Sequence, residues 1–208
     1  MIKADANLVL LGVLALAIFA GAANINKSKV VVAINCGSSV PFTSAYGFVY
    51  ERDKYYRGGV EGTTRVEDRY LWLDSPDLDV YFNERYSNTA SLVYEIPLKK
   101  GEEDGHYVLI LKFSETHFEE SGKKVFDIAL GSKTIIKDID VFKRVGRFVP
   151  YDEYVELDVK NKQVYYNNTI IPDAFLPAKF ALVLKFVKAK DNPKVNAIVV
   201  VKGSLAGN

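Results

Sequence analysis

From Lys29 onward, apolar residues recur mostly at every second position, in short β-branched and aromatic runs separated by turn residues. This period predicts strands, because successive side chains of a strand point to opposite faces of its sheet. The runs are Lys29–Cys36, Gly47–Tyr50, Val80–Phe82, Leu92–Pro97, His106–Phe113, Lys124–Leu130, Thr134–Phe142, Tyr154–Val159, Gln163–Ile171, Lys179–Val187 and Asn196–Lys202. The strongest is His106–Phe113, HYVLILKF. Gly131-Ser132 and Asp191-Asn192-Pro193 have the composition of hairpin loops. Beyond the N-terminus no amphipathic helix stands out, so the pattern predicts an all-β fold, an antiparallel β-sandwich or jelly roll. Tyr55–Asp79 is weakly periodic and Arg57–Gly62 is glycine-rich, which reads as a long irregular region of the kind that carries function. No repeat divides the chain, so residues 27–208 are expected to form one domain.

The N-terminus departs from that pattern. Lys3 in a short polar head precedes the apolar run Leu8–Phe19, and Ala20-Gly21-Ala22 supplies the small residues of a cleavage site. Residues 1–22 therefore read as a secretory signal. The alternative is an uncleaved anchor over about residues 6–25, the length that spans a bilayer in roughly 20 residues. Either reading delivers Lys27 onward to the secretory lumen. There Asn26-Lys27-Ser28 and Asn167-Asn168-Thr169 are glycosylation sequons, with Asn26 and Asn167 as acceptors.

Composition removes several function classes. The 27 Lys and Arg balance 26 Asp and Glu, so no global basic field invites nucleic acid. One Cys and two His exclude both a structural zinc site and a disulfide within the chain. The nucleophile elbow, the P-loop and the EF-hand loop are absent, and no cofactor is indicated. Cys36 lies in an apolar run without an activating neighbour and reads as a buried small hydrophobe. Gly58-Gly59-Val60-Glu61-Gly62 follows no strong strand and opens no helix, so it is assigned to backbone turns.

Two patterns bear on sugars. Glu115 shares a strand face with Phe113 and His117 if that strand continues, and Asp138 shares one with Asp140. Paired carboxylates can hydrolyse glycosides, although solvated strand-end charges explain them equally. Aromatics also gather beside polar groups in loop-like positions. These are Tyr70 and Trp72, Tyr81 and Tyr86 around Phe82–Arg85, His117 with Phe118, and Asp191. A lectin needs that mixture, rings for the apolar faces of a sugar and carboxylates for its hydroxyl edges. Ordinary core and turn roles account for the same residues. Pattern alone gives a secreted β-sandwich that binds something.

Seven ordered blocks carry a resemblance. They are Ala33–Gly37, Tyr55–Gly59, Asn83–Tyr86, Tyr107–Phe118, Lys124–Ile128, Lys137–Phe142 and Asp191–Val195. In this order they are similar to the malectin domain, nearer to malectin of the animal endoplasmic reticulum than to the ectodomains of plant receptor kinases. The resemblance covers roughly Lys29–Gly203. It implies a non-catalytic β-sandwich lectin for glucosylated N-glycans, the diglucosylated high-mannose form foremost, acting in glycoprotein quality control. The Tyr of the family's ERY block falls on Tyr86, a Tyr-Phe pair on His117 and Phe118, and the Asp of its DNP block on Asp191. The remaining aromatic has no ungapped counterpart, and Tyr70 is the candidate.

The resemblance also implies the endoplasmic reticulum lumen or membrane as location, with a secreted form as the alternative. Implied partners are an α-glucose-containing oligosaccharide and membrane proteins of the glycosylation machinery. Membrane contact would require the N-terminal segment uncleaved, since the family's C-terminal acidic stretch and anchor do not precede Asn208. The rival reading is a non-catalytic interaction subunit that kept the fold and changed or lost sugar binding.

Overall fold

The computed structural model describes residues 26–45, 47, 49–64, 75 and 77–204. The N-terminal apolar segment lies outside them, and with it the choice between signal and anchor; Tyr70 and Trp72 lie outside them too. Among the described residues no helix is long and apolar enough to cross a membrane.

The strands are β1 (Val30–Asn35), β2 (Phe42–Thr43), β3 (Val49–Arg52), β4 (Tyr56–Arg57), β5 (Val60–Thr63), β6 (Asn83–Tyr86), β7 (Ser91–Pro97) and β8 (Gly105–Phe113). They continue as β9 (Val125–Leu130), β10 (Lys133–Ile139), β11 (Tyr151–Lys160), β12 (Gln163–Tyr166), β13 (Thr169–Ile171), β14 (Phe175–Leu176), β15 (Ala181–Lys190), β16 (Lys194–Val195) and β17 (Ala197–Lys202). Eight of them form one sheet in the order β13-β12-β11-β8-β17-β1-β3-β2. A second sheet runs β10-β9-β15-β7-β4, with β14 also on β15, and a small third sheet runs β16-β6-β5. The named pairs are antiparallel except β1 with β3, where Ile34 lies opposite Glu51 in parallel.

The two large sheets close on one apolar core. Tyr107, Leu109, Leu111 and Phe113 of β8 meet Leu92, Tyr94 and Ile96 of β7 and Phe126, Ile128, Leu184 and Phe186 of β9 and β15. The Phe113 ring lies 5.5 Å from that of Phe126 and 6.0 Å from that of Phe186. The intervening residues of β8 do not face water. Val108 and Ile110 join Ala33, Val199, Val201 and Tyr50 in a second apolar layer, capped by Val80, Tyr81 and Phe82. Burial on both faces is why β8 reads as a continuous apolar run.

Several expected elements take another form. Val80–Phe82 is part of a 3₁₀ turn, Leu78–Phe82, and not a strand. All three of its apolar side chains are buried on the sheet, a demand that a three-residue run satisfies in either conformation. The run Thr134–Phe142 breaks at Asp140, whose carboxylate accepts the Lys143 N–H at 3.0 Å and caps a short helix, α1 (Val141–Val145). Gln163–Ile171 is two strands, because Asn167 and Asn168 both adopt left-handed φ, 49° and 61°, and reverse the chain. The irregular region contains β4 and β5, and Asn83–Tyr86 is a strand. The Asp191-Asn192-Pro193 loop is not a hairpin: it carries the chain from β15 in the second sheet to β16 in the third.

Candidate functional site

The site is built on β6. Alternation places Arg85 on one face and Glu84 with Tyr86 on the other. Behind the strand, Arg85 is buried against Asp53, whose carboxylate also accepts the Gly37 N–H at 2.6 Å and the Tyr94 hydroxyl at 3.0 Å. The Arg85 guanidinium lies 3.5 Å from the centre of the Tyr56 ring. Gly37 has φ +78°, and a Cβ there would come within 2.0 Å of the Glu84 carbonyl oxygen. Glycine is required at that contact.

In front of the strand, register sets the neighbours. Lys194 lies opposite Tyr86 on β16, and Gly62 lies opposite Glu84 on β5. Cross-strand partners share a face. Lys194 is wholly buried and donates to Glu84 Oε2. A side chain at position 62 would press on Glu84 Cγ at 3.2 Å and on the Tyr86 ring at 3.3 Å, so this glycine leaves both open.

Two loops close the cleft. After β8 the chain turns at Glu115, whose buried carboxylate accepts the N–H groups of His117 and Phe118 at 2.7 and 3.0 Å. Arg147 donates to the Thr116 carbonyl through Nε and Nη2, at 3.1 and 3.0 Å. That tight turn presents the His117 and Phe118 rings edge to face, 4.7 Å apart. From the other side, Asp191 at φ +63° reaches Lys124 at 3.6 Å, and the Lys124 ammonium lies 5.7 Å from the Phe118 ring centre. Asn196 ties the walls together: its amide donates to the carbonyls of Tyr81 and Asn83, and its oxygen accepts the Ser114 N–H at 3.0 Å.

Glu84, Tyr86, His117, Phe118, Lys124 and Asp191 thus line one cleft of about 330 Å³, together with Gly62, Thr63, Thr116 and Asn192. Four of the five expected sugar-site residues, Tyr86, His117, Phe118 and Asp191, converge there; Tyr70 lies outside the described residues. Glu84, Lys124 and Lys194 were not anticipated. Reading Asn83–Tyr86 as a strand would have found Glu84, since it stands two residues from Tyr86.

The other candidates have structural roles. The chain leaves the strand at Phe113, so Glu115 turns inward while His117 is exposed. Asp140 caps α1 and also accepts the Gly122 N–H at 2.6 Å. Cys36 is buried, and burial, with Asp53 nearby, pushes its thiol well up. Gly58 and Gly59 make a turn at φ +73° and +74°. Among the described residues no cluster of His, Cys, Asp and Glu could hold a metal. Asn167 is exposed at its hairpin turn, and exposed Asn26 accepts the Ser28 N–H and hydroxyl.

Burial alone would raise the Glu84 carboxyl, but Lys194, then Lys124 and His117, outweigh it and hold the group below its ordinary value. The cleft offers two carboxylates, Glu84 and Asp191, beside the rings of Tyr86, His117 and Phe118. A general acid needs the opposite shift.

Comparison with known proteins follows this geometry. The family model for the malectin domain matches residues 30–198. Malectin-A of Xenopus laevis is 34% identical over 178 residues, covering 85% of this chain and 61% of that protein. Malectin of Homo sapiens is 32% identical over 189 residues, covering 89% and 61%. The chain thus spans about three-fifths of the length of these curated relatives. Among solved structures, the ANXUR2 extracellular domain of Arabidopsis thaliana superposes with TM-score 0.65 at 14% identity, over 83% of this chain and 48% of that one. A Bacteroides uniformis β-glucuronidase does so with TM-score 0.60 at 18% identity, over 83% and 18%. At such identities the likeness is one of fold. The family model and the relatives go further, and the chain belongs to the malectin-domain family of carbohydrate-binding β-sandwiches.

Proposed function

We propose that this cleft reversibly binds a short α-glucose-containing oligosaccharide, the diglucosylated arm of a high-mannose N-glycan foremost, in the lumen of the endoplasmic reticulum during glycoprotein quality control. The observation that carries this reading is the convergence of Tyr86, His117, Phe118 and Asp191, from three segments distant in sequence, on one open cleft. The rings cover the apolar faces of the sugar, and the Asp191 carboxylate accepts its hydroxyls. The Asp191 carboxylate pairs with Lys124 through Oδ2 at 3.6 Å and accepts no hydrogen bond among the described residues. Tyr70 is proposed as a further stacking ring, and Asn26 and Asn167 as lumenal glycosylation sites.

The reading is one of binding without hydrolysis. Lys194, Lys124 and His117 hold the Glu84 carboxyl below its ordinary value, the opposite of what a proton donor to a leaving group needs. Prolonged incubation with glucosylated oligosaccharides should release no glucose.

The deciding experiment is calorimetric titration with α-linked glucose disaccharides and a diglucosylated high-mannose glycan. Saturable binding that favours the glucosylated ligands is the expected result. No saturation at millimolar ligand overturns the reading, in favour of an interaction subunit that docks on a protein of the glycosylation machinery. That rival needs a contiguous apolar surface.

A further inference from the structure

Glu84 stands in the cleft on different terms from its other charged residues. Its Oε2 is taken by Lys194, a fully buried lysine that cannot itself touch a ligand. Its Oε1 has no protein hydrogen bond among the described residues. The side chain is 17% exposed, and the residue lines the cleft. Gly62 keeps a Cβ from covering it. Lys194 has no other side-chain partner among the described residues, so the ion pair fixes the orientation of the carboxylate. An ordinary buried pair closes on itself; this one ends on an open acceptor.

We infer that Glu84 is a ligand-contacting, specificity-determining residue whose Oε1 accepts a sugar hydroxyl across from Asp191, with Lys194 as the positioning residue that aims it. The inference rests on the cleft being the sugar site. Two carboxylates accept and never donate, so together they select a neutral sugar with two hydroxyls directed at opposite walls. A carboxylate or phosphate group at either place brings acceptors and negative charge where a donor is needed, and is disfavoured. Lys124 pairs with Asp191 at 3.6 Å and so tempers the local charge.

The test uses calorimetry with maltose, nigerose and kojibiose, and with monodeoxy analogues of whichever binds best. Glu84→Leu removes the acceptor but strands the Lys194 ammonium, so it is paired with Glu84→Leu/Lys194→Met, which removes both charges. The paired variant should melt near the parent and bind roughly 10- to 150-fold more weakly, the range for a lost hydrogen bond to a charged group. One deoxy analogue should lose affinity for the parent by a similar factor and lose little more on the paired variant. A second position should couple in the same way to Asp191→Ala. Parent-like affinity in the paired variant assigns Glu84 a structural role only and overturns the inference, as does additivity at every deoxy position. If neither Glu84 variant folds, the deoxy series on the parent still decides. Two costly hydroxyls, one of them uncoupled from Asp191, support the inference, and a single costly hydroxyl coupled to Asp191 overturns it. A parent that binds no α-glucoside overturns the sugar reading itself, and this inference with it.

Discussion

Lys112 and Lys194 are both buried, 3% and 0% exposed, and both face carboxylates, yet their surroundings differ in one respect. Lys112, on the second face of β8, meets Asp152 at 2.7 Å and Asp77 at 3.4 Å. The Tyr50 hydroxyl donates to Asp77 at 2.9 Å, and the Tyr81 hydroxyl donates to Asp152 at 2.5 Å. Lys112 and Asp77 are buried and Asp152 is partly so, and the network pins the Leu78–Phe82 turn to the sheet. Lys194 holds a single carboxylate, Glu84, and beyond that carboxylate lies the cleft. The same residue types make a closed fastening in one place and an aimed acceptor in the other. What separates them is where the unpaired oxygen lies: Asp77 Oδ1 is sealed in the interior without a hydrogen-bond partner, whereas Glu84 Oε1 belongs to a side chain that lines the cleft. Asn196 joins the two regions, since it holds the Tyr81 carbonyl on one side and the Asn83 carbonyl on the other.

The comparison can be broken most forcefully at Lys112. Lys112→Met leaves two buried carboxylates without a cation and should destabilise the fold by about 3–5 kcal/mol, read by chemical denaturation. A loss below about 1 kcal/mol would mean that the network is not closed. Asn196→Ala strands the buried Ser114 N–H and takes a donor from the Asn83 carbonyl and from the Tyr81 carbonyl, which keeps the Ser114 hydroxyl, and should cost about 1–3 kcal/mol. Because Asn196 links both regions, sugar affinity should fall with it even where the variant remains folded. Asp191→Ala should weaken sugar binding by about 1.5–3 kcal/mol, the range for a hydrogen bond to a charged group, with the melting temperature nearly unmoved. Unchanged affinity would remove Asp191 from the site.

The smallest effect of a substitution is read on a pH slope. Burial, with Asp77 beside Tyr50 and Asp152 beside Tyr81, pushes both phenols well above their ordinary value. Burial alone would lower Lys112, but Asp152 and Asp77 outweigh it and raise it. Groups raised in the folded state bind more protons folded than unfolded, so their stabilisation is complete below the unfolded value and declines above it. Stability should hold to about pH 9.5 and then fall by about 1.4 kcal/mol per pH unit for each such group. Tyr50→Phe should make that slope shallower, and denaturation midpoints between pH 8 and 11 check it.

Most of the fold was legible. Alternation located β1, β7, β8, β9, β11, β15 and β17 to within a few residues, because each has at least one buried face and burial imposes the period. It failed where a run was short or where polar residues set the path. Val80–Phe82 could cover the sheet as a turn or as a strand. Asp140 was read for its charge when its use is to cap α1, and the Asn167-Asn168 reversal was read through as strand. The Asp191 loop was read as closing a hairpin, although its two flanking strands pair in different sheets.

Of the candidate site, Tyr86, His117, Phe118 and Asp191 were reached through block resemblance, and periodicity alone left them indistinguishable from core or turn residues. Glu84 and Lys194 are separated by more than a hundred positions, and nothing local in either says that they touch. The sequence by itself determined the class of fold and which rings and charges were available. The tertiary structure alone decided which charges face each other across the β16-β6-β5 register, and which of those pairs leaves an oxygen open. The physical reason is that burial preference is a property of each residue and is written locally. The partner of a buried charge is fixed only when strands far apart in the chain come into register.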